Sequence, residues 1–138
     1  MIVLDASVVV KLLVQESSSA LALDRVEHEP VRLAPSICVA EVANALSKKV
    51  RYDGLPIAAA TEVLGNLPVV VYQLIDTDGL IDAGMALSVR CRHALYDCLY
   101  LALAIREGCV LLTADAKFVT ACRLAGLSDM VELLGDGQ

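Results

Sequence analysis

At 138 residues, with 57% hydrophobic side chains and 4% aromatic ones, the chain has the size of one ordinary domain and a core of Val, Leu, Ile and Ala to bury. That composition argues against intrinsic disorder, and a formal net charge of −6 is awkward for a nucleic-acid binder, whose contacts must then come from local basic clusters and bound cations. A mean hydropathy of +0.66 is high for a soluble domain and points to surface that a partner covers.

The pattern along the chain alternates short apolar strands with amphipathic helices. Ile2–Leu4 reads as a buried strand, followed by helices over Ser7–Val14 and Ser17–His28. Val31–Ala34 is a second strand ended by Pro35, and Ile37–Arg51 a helix closed by the Asp53-Gly54 turn. Leu55–Asn66 is a helix ended by Pro68, and Val69–Gln73 a third strand. Helices over Asp78–Arg90 and Tyr96–Glu107 lead to a fourth strand at Val110–Leu112, a helix at Ala116–Ala125 and a fifth strand at Val131–Leu133. Strands spaced by helices imply a parallel sheet with right-handed crossovers. The expected fold is therefore a three-layer α/β/α sandwich with four to five parallel strands, one domain over residues 1–138. Asp5, Lys11, Asp97 and Asp115 interrupt the apolar stretches well short of the ~20 residues that span a bilayer. The start MIVLDASVVVKLLV lacks the basic opening of a signal peptide. Cys38, Cys91, Cys98, Cys109 and Cys122 are odd in number and form no CxxC pair, so they read as reduced core residues of a cytoplasmic protein.

Helices in such a sheet run antiparallel to the strands, so each begins at the carboxyl edge. Asp5 follows the first strand and Asp115 the fourth; Glu41 lies in the first turns of the helix after the second strand, and Asp97 opens the helix leading into the fourth. All four acids fall on the edge where open α/β sheets bind ligands, and they converge if the first strand lies between the second and the fourth. Taken singly, Asp5, Asp97 and Asp115 read equally well as helix caps or dipole partners. Glu41 sits in an apolar run, and Asp97 is the only formal charge between Arg92 and Arg106; both are costly to bury unless paired or bound to metal. Clustered carboxylates with no His or Cys in the pattern suit Mg²⁺, with Mn²⁺ as a substitute. Such a centre can hydrolyse a phosphodiester.

The segments Ile2-Val3-Leu4-Asp5-Ala6-Ser7, Val39-Ala40-Glu41-Val42-Ala43-Asn44-Ala45-Leu46, Leu95-Tyr96-Asp97 and Leu112-Thr113-Ala114-Asp115-Ala116-Lys117-Phe118 together resemble the PIN-domain family, and within it the VapC toxins of type II toxin–antitoxin pairs. The resemblance covers essentially the whole chain. It implies a Mg²⁺-dependent endoribonuclease acting on RNA, with Asp5 and Asp97 as direct metal ligands and Glu41 and Asp115 completing the pocket. Ser7 and Thr113 match hydroxyl positions beside the acids, where they orient water or simply cap and bond the chain. Asn44 holds Glu41, contacts RNA or is a solvated polar residue. The resemblance also implies a homodimer and a cognate antitoxin.

Of the basic residues, Arg90 and Arg92 precede Asp97 and divide evenly between phosphate contacts and a solvated helix end. Lys48, Lys49 and Arg51 read as a solvated helix end, Lys11 as a solvated residue that could flank the pocket, and His28 and His93 as surface residues. Three other readings remain. A phosphoacceptor receiver domain would need adjacent acids after the first strand and a Lys after the last, which the chain lacks. A non-catalytic interaction module of the same fold would lose one or more of the four acids. An RNA-processing nuclease of the family without an antitoxin stays open.

Overall fold

The computed structural model describes residues 1–135; the final three residues of the expected domain, 136–138, lie outside them. Its parallel five-stranded sheet has the order β3-β2-β1-β4-β5, with β1 at Ile2–Leu4, β2 at Arg32–Pro35, β3 at Gln73–Ile75, β4 at Val110–Thr113 and β5 at Val131–Leu133. The first strand is central, paired through Ile2↔Arg32 on one side and Ile2↔Val110 on the other. Successive strand residues face opposite sides, yet Ile2, Val3 and Leu4 are all buried. Both faces of the sheet are therefore covered, which makes the expected three-layer α/β/α sandwich.

The helices are α1 (Ala6–Leu13), α2 (Ser19–Val26), α3 (Cys38–Asp53), α4 (Ile57–Gly65), α5 (Leu67–Val70), α6 (Ile81–Cys91), α7 (Leu95–Glu107) and α8 (Ala116–Leu124). Of these, α7 is the deepest: Cys98 to Ala104 are buried without a break, and the helix packs across β1, β2 and β4. It stops where Gly108 adopts φ +67 and its N–H closes on Ala104 and Ile105, a conformation that favours glycine. Gly54 ends α3 in the same way, at φ +77. Among the described residues no helix is long and apolar enough to cross a membrane.

The third strand departs from the expectation. Its apolar run folds as the helical turn α5, and β3 starts four residues later at Gln73. Pro68 occupies the first turn of α5, where its missing N–H costs nothing, so it opens a helix instead of only ending one. As an edge strand, β3 exposes Gln73 and Leu74 and has no need of the apolar signature of a buried strand. The segment expected as one helix from Asp78 divides into a 3-10 turn at Thr77–Leu80 and α6. The five cysteines are free; four are buried, and Cys109 is half-buried.

Gly84 of α6 lets α7 come close, since a Cβ there would stand 2.8 Å from Leu99 Cδ2, on a side chain that is itself buried. Gly84→Val is expected to destabilise the fold by about 1–3 kcal/mol in urea unfolding; an unchanged midpoint would mean that the α6–α7 contact can relax.

Candidate metal centre

With β1 between β2 and β4, chain order reverses beside β1, and the carboxyl ends of β1 and β4 flank the switch point. Asp5 leaves the end of β1, its N–H bonded to Leu112 O of β4 at 3.0 Å. It stands at the N-cap position of α1 and is only 7% exposed. Its Oδ2 accepts the Ser7 hydroxyl at 2.5 Å and the Thr113 hydroxyl at 3.0 Å. Both hydroxyls are then reused: Ala114 N donates to Ser7 Oγ at 3.1 Å and Asp115 N to Thr113 Oγ1 at 3.1 Å. Ser7 and Thr113 thus tie the end of β1 to the end of β4 through one carboxylate.

Glu41, in the first turn of α3, accepts the Tyr100 hydroxyl on Oε1 at 2.7 Å. Tyr100 is wholly buried within α7, and burial drives its phenol far above the ordinary range, so it stays a donor. Asp97 opens α7, and its Oδ2 lies 2.6 Å from His93 Nε2. Asp115 caps α8, taking Lys117 N and Phe118 N on Oδ1 at 3.0 and 3.2 Å. The capping role open to Asp115 is therefore real, yet one ligand atom each of Asp115, Asp97 and His93 also lie within 4.8 Å of one another.

Electrostatics join the remaining acids. The Asp5 carboxyl is raised above its ordinary value, first by burial and then by the charge of Asp97, against the pull of the two hydroxyls. Glu41 is likewise raised by burial and by the charges of Asp5 and Asp97, with the Tyr100 bond opposing. Burial also pushes the neighbouring Cys38 thiol to about 12, which keeps it inert. Carboxylates that raise one another in this way are relieved by a cation. One imidazole and two carboxylates, from His93, Asp97 and Asp115, stand close enough to share a divalent metal; Asp5 and Glu41 lie outside that set and are joined to Asp97 through its charge.

A cleft of about 460 Å³ opens beside the acids, with Ser7, Glu41 and Asn44 in its wall. Asn44 is exposed there, one helical turn beyond Glu41. Lys11, Lys48 and Lys49 line the same cleft; Lys48 is exposed near the end of α3, as a solvated helix end would be, whereas Lys49 is half-buried. Glu16 bridges two of them, at 2.7 Å from Lys49 and 3.2 Å from Lys11. Arg92 is exposed at the end of α6, where it takes φ +52. The Arg90 guanidinium donates to Ala125 O at 2.8 Å, at the end of α8 opposite Asp115.

Two residues of the site escaped the sequence reading. His93 is half-buried and tilted against Phe118, with ring centroids 4.6 Å apart, instead of lying on the surface. Its signal was the four-residue spacing to Asp97. For Tyr100 the signal was a hydroxyl in an otherwise apolar helix, which needs a buried partner.

Three comparisons bear on this arrangement. The PIN domain family model matches residues 2–124. Ribonuclease VapC1 of Mycobacterium tuberculosis, from two strains, is 33% identical over 122 residues, covering 86% of this chain and 89% of that protein. The crystal structure of PAE2754 from Pyrobaculum aerophilum superposes with a TM-score of 0.65 at 22% identity, over 87% of this chain and 78% of that one, a likeness of fold.

Because the folded protein binds a proton at Asp5 more tightly than the unfolded chain, its metal-free stability falls as pH rises from the ordinary value of 3.8 through the raised native one. Asp5→Asn removes that charge and keeps the shape. At neutral pH in EDTA it is expected to raise Tm by a few degrees, on the order of 1 kcal/mol; a lower Tm would show that the acid is not held against its preference. Tyr100→Phe should raise the Glu41 carboxyl further and move the acid limb of the pH–activity profile upward, a shift that an unaltered profile would refute.

Proposed function

The chain belongs to the PIN-domain family, and from that premise we propose that it is a metal-dependent endoribonuclease, the toxin of a type II toxin–antitoxin pair. Residues 1–138 are read as one nuclease domain. The observation that supports the reading is that burial and the charge of Asp97 raise the carboxyls of Asp5 and Glu41 while Asp97 and Asp115 come within 4.8 Å of each other, beside a cleft that Glu41 and three lysines line.

Asp5 and Asp97 are the proposed direct metal ligands, with Asp115 and Glu41 completing the site. The four carboxylates alone imply Mg²⁺, with Mn²⁺ as a substitute. The bound ion supplies Lewis acidity toward the phosphate and lowers the pKa of water. Ser7 and Thr113 fix the Asp5 carboxylate by donating to the same oxygen, so its position does not depend on the ion. Tyr100 fixes Glu41 in the same manner and shields it on the protein side. A carboxylate held with a raised pKa is suited to taking a proton from attacking water, and Glu41, which lines the cleft, is the group placed to do so.

An RNA strand needs cations along its path. Lys11, Lys48 and Lys49 offer them within the cleft, and exposed Arg92 at the end of α6 is a further candidate. Arg90 could join only by leaving the Ala125 carbonyl. Tyr72, Val89 and Leu124 leave large apolar side chains exposed, which supports coverage by a second copy of the chain and by a cognate antitoxin.

Purified protein is expected to cleave RNA in Mg²⁺ or Mn²⁺ and to stop in EDTA. Asp97→Asn should lower the rate by about 10³-fold or more with an unchanged circular dichroism spectrum. Cleavage that persists in EDTA or in that variant would remove the metal-centre reading. Expression without an antitoxin should arrest growth, and harmless expression of active protein would leave the nuclease but sink the toxin. Lys48→Glu with Lys49→Glu should raise KM several-fold and flatten the salt dependence while kcat stays near wild type; a fall in kcat alone would place the RNA elsewhere.

A further inference from the structure

We propose that His93 supplies a nitrogen ligand to the metal centre, so that the site prefers Mn²⁺, and the transition ions that follow it in affinity, to Mg²⁺. The inference rests on the metal-dependent reading above and refines which ion the site holds.

His93 Nε2 and one carboxylate oxygen each from Asp97 and Asp115 lie within 4.8 Å of one another. Two ligand atoms on one ion, each bonded at about 2.0–2.2 Å, are separated by at most twice that length, so a small rotation of any one side chain closes the set. The imidazole is pre-aimed. Its ring rests on Phe118, with centroids 4.6 Å apart and planes at 42°. Its backbone is locked to α6 from both sides, with His93 N donating to Ser88 O at 3.1 Å and Ser88 Oγ donating to His93 O at 2.5 Å. Phe118 N in turn donates to Asp115 Oδ1. The ring that orients His93 therefore belongs to the helical turn that orients Asp115, and the two donors are held as a unit.

Nε2 and Asp97 Oδ2 lie 2.6 Å apart, so both already point at one place. In the neutral tautomer with its proton on Nδ1, the ring would offer the Nε2 lone pair to an ion held there. Mg²⁺ selects oxygen ligands and keeps its own waters, whereas an imidazole among carboxylates favours first-row transition ions. A histidine that only steadies Asp97 would assist both ions alike, and that difference is measurable.

The test is titration of the full chain with Mn²⁺ and Mg²⁺ by calorimetry, together with pulsed electron paramagnetic resonance of the Mn²⁺-loaded protein. His93→Phe keeps a ring against Phe118 and removes the nitrogen; His93→Gln serves if that variant fails to fold. Wild type should bind Mn²⁺ at least about tenfold more tightly than Mg²⁺, and the variant should lose about tenfold or more in Mn²⁺ affinity with Mg²⁺ affinity nearly unchanged. A ¹⁴N coupling to Mn²⁺ should be present in wild type and absent from the variant. Oxygen-only coordination in wild type, or equal losses for both ions, would overturn the proposal and leave the metal-dependent reading intact. Failure of wild type to bind either ion would take both away.

Discussion

Everything at this site depends on a carboxylate being held where its charge is disfavoured. Asp5 ends the central strand of the sheet, is 7% exposed, and lies in the field of Asp97. Its partners are hydroxyls, which orient a charge without neutralising it. Folding alone does not settle that charge; a cation would. The destabilisation belongs to the fold, because β1 can be central only if its carboxyl end is crowded on both sides by β2 and β4.

The supports around the acids follow from this. Each acidic side chain comes from a different element, so no local segment could preserve their spacing. Long-range bonds do it instead: Thr113 to Asp5 joins β4 to β1, and Tyr100 to Glu41 joins α7 to α3. The deep burial of α7 fixes the backbone from which Asp97 at its mouth and Tyr100 one turn further in project. Rigidity matters because a charge cluster free to spread would relieve itself by moving apart instead of by binding an ion.

The cleft shows a second balance of charge. Lys11 and Lys49 stand close to the acids, yet Glu16 sits between them and lowers the local positive potential. Burial and hydrogen bonds to the two lysines act on Glu16 in opposite directions, and the lysines win, holding its carboxyl below the usual value. Glu41 and Asp53 line the cleft as well, so three lysines stand among three acids there, and the chain of net charge −6 keeps its local cations without a basic surface overall.

Periodicity and helix direction were enough to send Asp5, Glu41, Asp97 and Asp115 to one edge, because element type and polarity are local properties of the chain. The layered architecture and the central place required of β1 followed from the same signals. What only the tertiary structure decided was which side chains meet. Pro68 and the edge position of β3 moved the third strand, since an edge strand carries little apolar pattern to read. His93 became a neighbour of Asp97 and Asp115 through the packing of Phe118, and Lys49 of α3 met Glu16, which follows α1, across the cleft. Such meetings depend on contacts between residues far apart in the chain, which no local pattern encodes, whereas the acids' common edge depends only on the direction in which each helix leaves its strand.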